Sequence, residues 1–185
     1  MSSDVAIGDG GPLAGDMMRR FELLQRKLVP MWRWIGRSDP GGPNQVENTI
    51  VVVPSLTEDV ELNIAAQQAY EERMLFMLFL LHQPGIRLIF VTSLTIQPEI
   101  VDYYLDILPG TIISSARRRL SLVSPQDASS RPLTQKILER PRLIERIRQL
   151  IPDFDRAHLV PFNTTDLERQ LSVLLDIPMY AADPR

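Results

Sequence analysis

The sequence has 185 residues, the size of a single domain, and 44% of them are hydrophobic. Its 20 Lys and Arg residues and 23 Asp and Glu residues give a net charge of −3, which argues against a dedicated nucleic-acid-binding domain. The absence of cysteine excludes disulfides, thiolate metal sites and cysteine nucleophiles. No apolar run approaches the roughly 20 residues that span a bilayer, and the first residues do not resemble a secretory signal. We therefore expect a cytoplasmic protein without a membrane or nucleic-acid partner.

Glycine is concentrated near the N-terminus, where seven of the nine glycines precede residue 43. Glycine-rich polar stretches are typical of flexible segments and loops. The composition therefore predicts a flexible leader at 1–15 and a linker at 36–48, followed by a folded domain at 49–185.

Residues 16–35 are predicted to form an amphipathic helix appended to that domain. Asp16 is a suitable N-cap, and Pro30 should kink or split the helix because proline cannot donate the helical hydrogen bond. The apolar side chains recur at helical spacing at Met17, Phe21, Leu24, Leu28 and Ile35. This helix could dock on a partner or pair with a second copy of the chain, giving a homodimer.

From residue 49 onward, predicted strands and helices alternate. The predicted strands lie at 49–53, 87–93, 120–124, 157–162 and, as the start of a fifth, 177–181. The predicted helices include a long one that ends at 83, one at 98–108, short ones that begin at Pro132 and Pro141, and one at 164–176 with a capping box from Thr165 to Glu168. This alternation predicts an α/β fold with a Rossmann-like, mostly parallel sheet and helices on both faces.

Polar residues follow each predicted strand, at the edge where open α/β sheets bind ligands. The candidate binding residues at this edge are Ser55, Thr92, Ser93, Asp127, Ser129, Arg131 and Asn163. Such side chains could hold the carboxylate or phosphates of a ligand. Serine, threonine and asparagine also cap helices that begin at these positions, so both interpretations remain open.

Several catalytic motifs are missing from the sequence. No glycine-rich loop follows a predicted strand beyond Gly42, which excludes a dinucleotide fingerprint and a P-loop there. No G-x-S-x-G nucleophile elbow is present. His82 and His158 are far apart in sequence and lack metal-ligand spacing, so structural roles are expected for both. We predict no catalytic residue and no metal ligand in this chain.

The segment 117–148 is strongly basic, with nine Arg or Lys residues and three acidic ones. Guanidinium groups suit phosphates and carboxylates, so the segment could bind an anion. The alternative is a solvated helix face in which Glu and Arg side chains pair.

Four stretches of the sequence resemble one family. They are YEERMLFMLFLL, IQPEIVDYYLDILPG, DASSRPLTQKILERPRLIERIR and FNTTDLERQLSVLLDIPMYAADP. The sequence resembles the N-terminal region of ATP-grasp carboxylate–amine (peptide) ligases of the pheganomycin peptide-ligase type. The resemblance implies that 49–185 is a pre-ATP-grasp domain, a Rossmann-like unit that forms one wall of the substrate cleft.

The resemblance also implies a function that depends on more than this chain. Complete ligases of the family use ATP and Mg²⁺ to activate a carboxylate for attack by an amine, and their nucleotide- and metal-binding residues lie in an ATP-grasp domain beyond residue 185. That missing domain and a small-molecule or peptide substrate are the expected partners, with Asp127, Ser129, Arg131 and Lys136 as candidate contacts. We expect this truncated domain to be inactive alone. The alternative is a stand-alone Rossmann-like binding or assembly module without catalysis.

Overall fold

The computed structural model describes residues 12–32, 48–56 and 64–181. Its one sheet contains the strands β1 (Asn48–Val53), β2 (Ile86–Val91), β3 (Leu120–Val123) and β4 (Ala157–Pro161). The strand order is β3-β2-β1-β4, and every neighbouring pair is parallel. The predicted Rossmann-like parallel sheet is therefore confirmed. The predicted leader up to residue 11 and the linker up to residue 47 lie outside the described residues.

Eight α-helices occur in the described part of the chain, together with two 3₁₀ helices. The α-helices are α1 (Pro12–Gln25), α2 (Leu28–Trp32), α3 (Ile64–Arg73), α4 (Pro98–Asp106), α5 (Ile113–Arg119), α6 (Leu133–Leu138), α7 (Pro141–Gln149) and α8 (Asp166–Leu175). The 3₁₀ helices are Met74–His82 and Phe154–Arg156. No helix in these ranges is long and apolar enough to cross a bilayer.

The sheet separates two hydrophobic cores, because successive side chains of a strand point to opposite faces. In β1, Val51 and Val53 belong to one core while Ile50 and Val52 belong to the other. Helices α1, α6, α7 and α8 cover the first face, and the long 3₁₀ helix with α4 and α5 covers the second. Helices therefore lie on both faces, as the sequence predicts.

The predicted long helix changes type after Arg73. Residues 74–82 form a 3₁₀ helix, whose three residues per turn place side chains at i and i+3 above one another. Leu75, Leu78 and Leu81 occupy one such row and are fully buried against the sheet. A row of leucines at spacing three thus suits the tighter helix.

Buried Arg119 fixes the end of this 3₁₀ helix. Its guanidinium donates to the backbone oxygens of Leu81, Gln83 and Ile86 at 2.8, 2.8 and 2.6 Å. Carbonyl groups at a helix C-terminus have no partner within the helix, and a cation there is favourable. Arg119 therefore connects the end of α5 to the 3₁₀ helix and to the start of β2.

The N-terminal helical segment differs from the prediction in two ways. The first helix begins at Pro12, so Asp16 lies within it and the predicted cap at Asp16 is wrong. The break falls at Arg26 and Lys27, while Pro30 lies in the first turn of α2, where its missing N–H would have no helical partner. Phe21 of α1 is buried in the first core.

The C-terminal elements agree closely with the sequence. The capping box of α8 is confirmed, since the Thr165 hydroxyl accepts from Leu167 N and Glu168 accepts from Thr165 N. The predicted fifth strand is reduced to one parallel bridge between Leu159 and Met179. Helix α5 (Ile113–Arg119) precedes β3 and ends where the strand begins.

Candidate functional site

Four loops meet at the carboxyl edge of the sheet because all four strands run parallel. They carry Ser55 after β1, Ser93 after β2, Asp127 after β3 and Asn163 after β4. In open α/β sheets, this edge is where ligands bind. These candidate residues therefore lie at one edge of the sheet, and their contacts decide which of them come together.

Ser93 lies at the centre of a buried chain of hydrogen bonds. Its backbone N–H and its hydroxyl each donate to the Glu71 carboxylate at 2.6 Å. Lys136 Nζ donates to the Ser93 hydroxyl oxygen at 2.9 Å. All three residues are buried, with exposed fractions of 1% for Glu71, 5% for Ser93 and 0% for Lys136. An acid and a base from two helices thus share one serine hydroxyl.

The packing of two helices brings these charges together. On α3, Glu71 lies one helical turn before buried Leu75, so its carboxylate faces the interior. On α6, Lys136 lies between Leu133 and Ile137, both fully buried in the first core. Helices α3 and α6 therefore hold a carboxylate and an ammonium at the carboxyl edge of the sheet.

Burial shifts the protonation equilibria of both groups toward their neutral forms. Loss of hydration raises the pKa of Glu71 above its ordinary value, and the bonds from Ser93 and the charge of Lys136 oppose this change. Loss of hydration also lowers the pKa of Lys136, and the charge of Glu71 opposes that change. Each charge thus opposes the neutralisation of the other.

Asp127 forms a second cluster beside the first. Its carboxylate accepts from Ser129 N at 2.9 Å, from Arg131 at 2.9 Å and from Arg140 at 2.6 Å. The bonds from Ser129, followed by the Arg140 guanidinium, hold the pKa of Asp127 well below its usual range. Asp127 N also donates to Ser93 O at 3.0 Å, which joins the two clusters.

A small cleft opens between α3 and the loop that follows β3. Its polar lining consists of Gln67, Gln68, Ser93, Asp127, Ser129 and Lys136. The cleft therefore reaches both clusters, and it brings together four predicted candidates: Ser93, Asp127, Ser129 and Lys136. Arg131 does not line the cleft, but its guanidinium donates to Asp127 and Ser129, which do.

The remaining predicted residues do not line this cleft. The Ser55 hydroxyl accepts from Thr134 N at 3.1 Å and so holds α6 in place. The Thr92 hydroxyl donates to Leu94 O at 2.7 Å within the turn after β2. Asn163 lies after β4, and none of its contacts within the described ranges joins it to either cluster. Ser55 and Thr92 therefore have the structural role that the sequence left open.

The two histidines lie away from the cleft. The His82 ring is bonded to Phe79 O at 2.7 Å at the end of the 3₁₀ helix. His158 is buried on β4, and loss of hydration lowers its pKa to about 4. Across the described residues, no three His, Asp or Glu side chains form a group that could hold a metal ion.

The basic segment 117–148 is divided among several structural roles. Arg119 binds backbone carbonyls, and Arg131 and Arg140 contact Asp127. On α7 the apolar side chains are buried while Arg142 and Arg146 are exposed, which favours the solvated helix face over a single anion-binding surface.

Sequence reasoning missed four residues of the site, namely Gln67, Gln68, Glu71 and Arg140. Glu71 carries a signal that could have found it, since it falls on the helical stripe that Leu75 and Leu78 continue. Gln67 precedes it by one turn and donates to Arg131 O at 3.1 Å. No sequence pattern indicates Arg140, because its role depends on a contact with Asp127, 13 positions earlier in the chain.

Comparison with known proteins gave one informative similarity. Over 103 residues, 54% of its length, the chain is 32% identical to the L-propargylglycine–L-glutamate ligase of Streptantibioticus cattleyicolor. This match covers 21% of that relative, so the chain spans about a fifth of the length of the curated relative it matches. No family model matches the chain, and no solved structure matches it.

Proposed function

We propose that this chain is the N-terminal substrate-cleft domain of an ATP-dependent carboxylate–amine ligase. The similarity to a ligase named for joining two amino acids carries the proposal. The Rossmann-like sheet and the polar cleft at its carboxyl edge support it, because this is where such a fold presents a ligand site. More specifically, we propose a pre-ATP-grasp domain of the pheganomycin peptide-ligase type.

The described residues do not fit ATP or Mg²⁺ themselves. Gly15, Gly85 and Gly110 are the glycines in the described ranges, and none of them follows the carboxyl end of a strand, so no glycine-rich loop cradles phosphates there. The acidic side chains of these ranges form no group of metal ligands. In our proposal, ATP and Mg²⁺ bind to another domain of the ligase, and this chain holds substrate.

We propose that substrate contacts come from Ser93, Asp127, Ser129 and Lys136, the predicted candidates that line the cleft. Arg131 positions Asp127 and Ser129 by its hydrogen bonds to both. The contribution of this chain is therefore binding and orientation, and no step of bond formation is assigned to its residues.

The alternative of a free-standing assembly module gains no support from the N-terminal helix. Phe21 and Leu24 of α1 are buried in the first core of the same chain. Gln25 is bonded to Met179 through both its amide nitrogen and its amide oxygen, at 3.1 Å each. Two residues of the predicted apolar face, Phe21 and Leu24, thus pack within the chain.

The native reading frame beyond the codon for Arg185 tests the proposal. A frame that continues into a domain with ATP-binding lysines and paired magnesium carboxylates is the expected result. A stop codon at this point would overturn the ligase proposal. The 185-residue chain alone should show no ATP turnover, and turnover by the purified chain would contradict the proposed division of roles.

A further inference from the structure

Helix α3 is joined to the rest of the domain by polar contacts and not by an apolar face. No side chain of residues 65–73 belongs to either hydrophobic core, and the buried side chains of this stretch are those of Gln67 and Glu71. Helices of globular proteins are usually held in place by burial of an apolar face. Helix α3 therefore lacks the packing that holds α4, α6, α7 and α8 to the sheet.

Hydrogen bonds connect α3 to the two loops that follow β2 and β3. Gln67 donates to the backbone oxygen of Arg131 at 3.1 Å, and Glu71 accepts from the N–H and the hydroxyl of Ser93 at 2.6 Å each. Such bonds can be exchanged for hydrogen bonds to water, so their net contribution is modest. Helix α3 can therefore separate from these loops without uncovering either core.

The position of α3 in the structure also leaves one buried polar atom unsatisfied. The ring of Tyr70 meets the ring of Phe162 edge-on, with their centroids 5.1 Å apart. The Tyr70 hydroxyl is buried and has no hydrogen-bond partner within the described residues. A buried hydroxyl without a partner is costly. Outward movement of α3 would return this hydroxyl to water and remove that cost.

The helical segment changes type where α3 ends. Residues up to Arg73 are α-helical, and those from Met74 onward form the 3₁₀ helix. A change of helix type within one continuous helical segment often marks a hinge. Beyond this junction, Leu75 and Leu78 are fully buried in the second core. The segment after the junction is therefore anchored, while the segment before it is not.

Helix α3 closes the cleft over Lys136. This lysine is 0% exposed and donates to Ser93, while Gln67 and Gln68 of α3 line the same cleft. The cleft has room for about one water molecule. Its opposite wall is fixed through Asp127, which bonds to Ser93 O and to two arginines. Displacement of α3 is therefore the most direct way for a larger molecule to reach Lys136.

We propose that α3 is a lid, which opens about the junction of Arg73 and Met74 and thereby exposes Ser93 and Lys136. Opening breaks the hydrogen bonds of α3 to the two loops and leaves both hydrophobic cores intact. The purpose of the lid, admission of substrate, rests on the proposed function, whereas the motion is a property of the chain itself. It is tested without substrate or ATP, so the lid and the ligase proposal can fail independently.

Acylation of lysine tests the lid, because Lys27 and Lys136 are the two lysines of the chain. The folded chain is treated with an amine-reactive ester at fixed pH, and the modification of each lysine is followed by mass spectrometry. Lys27 is partly exposed and reports the reactivity of an accessible amine. Amide hydrogen exchange of α8, which packs in the first core, gives the protection that only global unfolding removes.

We expect Lys136 to react at least about tenfold more slowly than Lys27, yet at least about tenfold faster than global unfolding allows. The amides of 68–73 should be less protected than those of 75–82 by a similar factor. Reaction of Lys136 no faster than global unfolding allows, or equal protection of the two amide segments, would overturn the proposal. Reaction of Lys136 as fast as Lys27 would also overturn it, because α3 would then not cover the ammonium.

A pair of neighbouring substitutions tests the contact that closes the lid. Gln67→Ala removes the bond to the loop after β3, whereas Gln68→Ala is a matched control, because Gln68 is bonded to Glu72 within α3. Gln67→Ala should raise the rate of Lys136 acylation about threefold to tenfold, and Gln68→Ala should change it by less than about twofold. Equal rates in the two variants would overturn the proposal, because opening would then not depend on this contact.

Discussion

The ammonium of Lys136 lies 2.9 Å from the hydroxyl oxygen of Ser93, and both side chains are buried. Through that hydroxyl, the ammonium is coupled to Glu71, so one small side chain connects a helix on each side of the cleft to the end of β2. Buried charges are tolerated in proteins when hydrogen bonds replace the lost hydration. Ser93 supplies those bonds here.

Replacing this serine should therefore destabilise the fold. Ser93→Ala removes the one hydrogen bond of Lys136 within the described residues and one of the bonds to Glu71. Loss of a partner for buried charged groups costs about 2–4 kcal/mol in the free energy of unfolding. Urea denaturation measures this change. Ser114→Ala at an exposed site on α5 is the control, and a loss no larger than in this control would contradict the structural role of Ser93.

Buried His158 should make stability depend on pH in mildly acidic solution. Its folded-state pKa, about 4, lies below the ordinary value of 6.5. The contribution of neutral His158 to the free energy of unfolding is therefore complete above pH 6.5. It is lost as the pH falls toward 4, because the unfolded chain binds the proton more readily than the folded chain does. The loss should approach about 3 kcal/mol.

The difference in the free energy of unfolding between wild type and His158→Leu isolates this contribution from that of Glu71, whose raised pKa gives a pH dependence of the opposite sign. Urea denaturation at several pH values between 4 and 7 should show that the free energy of unfolding of wild type, relative to that of His158→Leu, falls as the pH is lowered. A pH-independent gap between wild type and His158→Leu would contradict the prediction.

Arg119 should be more important for stability than its neighbour Arg118. Arg119→Met leaves the backbone oxygens of Leu81, Gln83 and Ile86 without their shared donor in the interior. The expected cost is about 2–4 kcal/mol in the free energy of unfolding. Arg118→Met, on the exposed side of the same turn, should change it by less than about 0.5 kcal/mol. Equal effects of the two substitutions in urea denaturation would refute the role of Arg119.

The capping box of α8 gives a smaller predicted effect. Thr165→Ala removes the hydroxyl that accepts from Leu167 N and should cost about 1 kcal/mol. The adjacent Thr164→Ala is a matched control, because Thr164 does not cap the helix. Thermal unfolding of both variants checks this prediction, which fails if the two melting temperatures agree.

Much of this fold could be predicted because its signals are local. The β-branched run of β1 and the capping box at Thr165 each depend on a few neighbouring residues, and both are confirmed. The exact type of the helix after Arg73 could not be predicted, since every residue from Met74 to Leu81 is apolar and the sequence therefore shows no period that distinguishes an α-helix from a 3₁₀ helix. The prediction of an N-cap at Asp16 is wrong because an aspartate that could cap a helix can also lie inside one.

Only part of the candidate site could be predicted from the sequence, because some of its residues have no local signal. Ser93 and Asp127 could be found from their place after strands, which the parallel topology alone determines. Glu71 and Arg140 contribute through contacts between residues far apart in the chain, 22 positions for Glu71 with Ser93 and 13 for Arg140 with Asp127. Such pairs follow from how the elements pack and not from any spacing in the sequence.

The most direct test of the ligase proposal is an assay of the protein encoded by the complete native reading frame. This protein is incubated with ATP, Mg²⁺ and pairs of amino acids that include L-glutamate, and ADP and dipeptide are measured by mass spectrometry. The account predicts dipeptide formation together with ADP release that depends on both amino acids. If no amino acid pair gave dipeptide or stimulated ADP release, the assignment of this chain to a carboxylate–amine ligase would be contradicted.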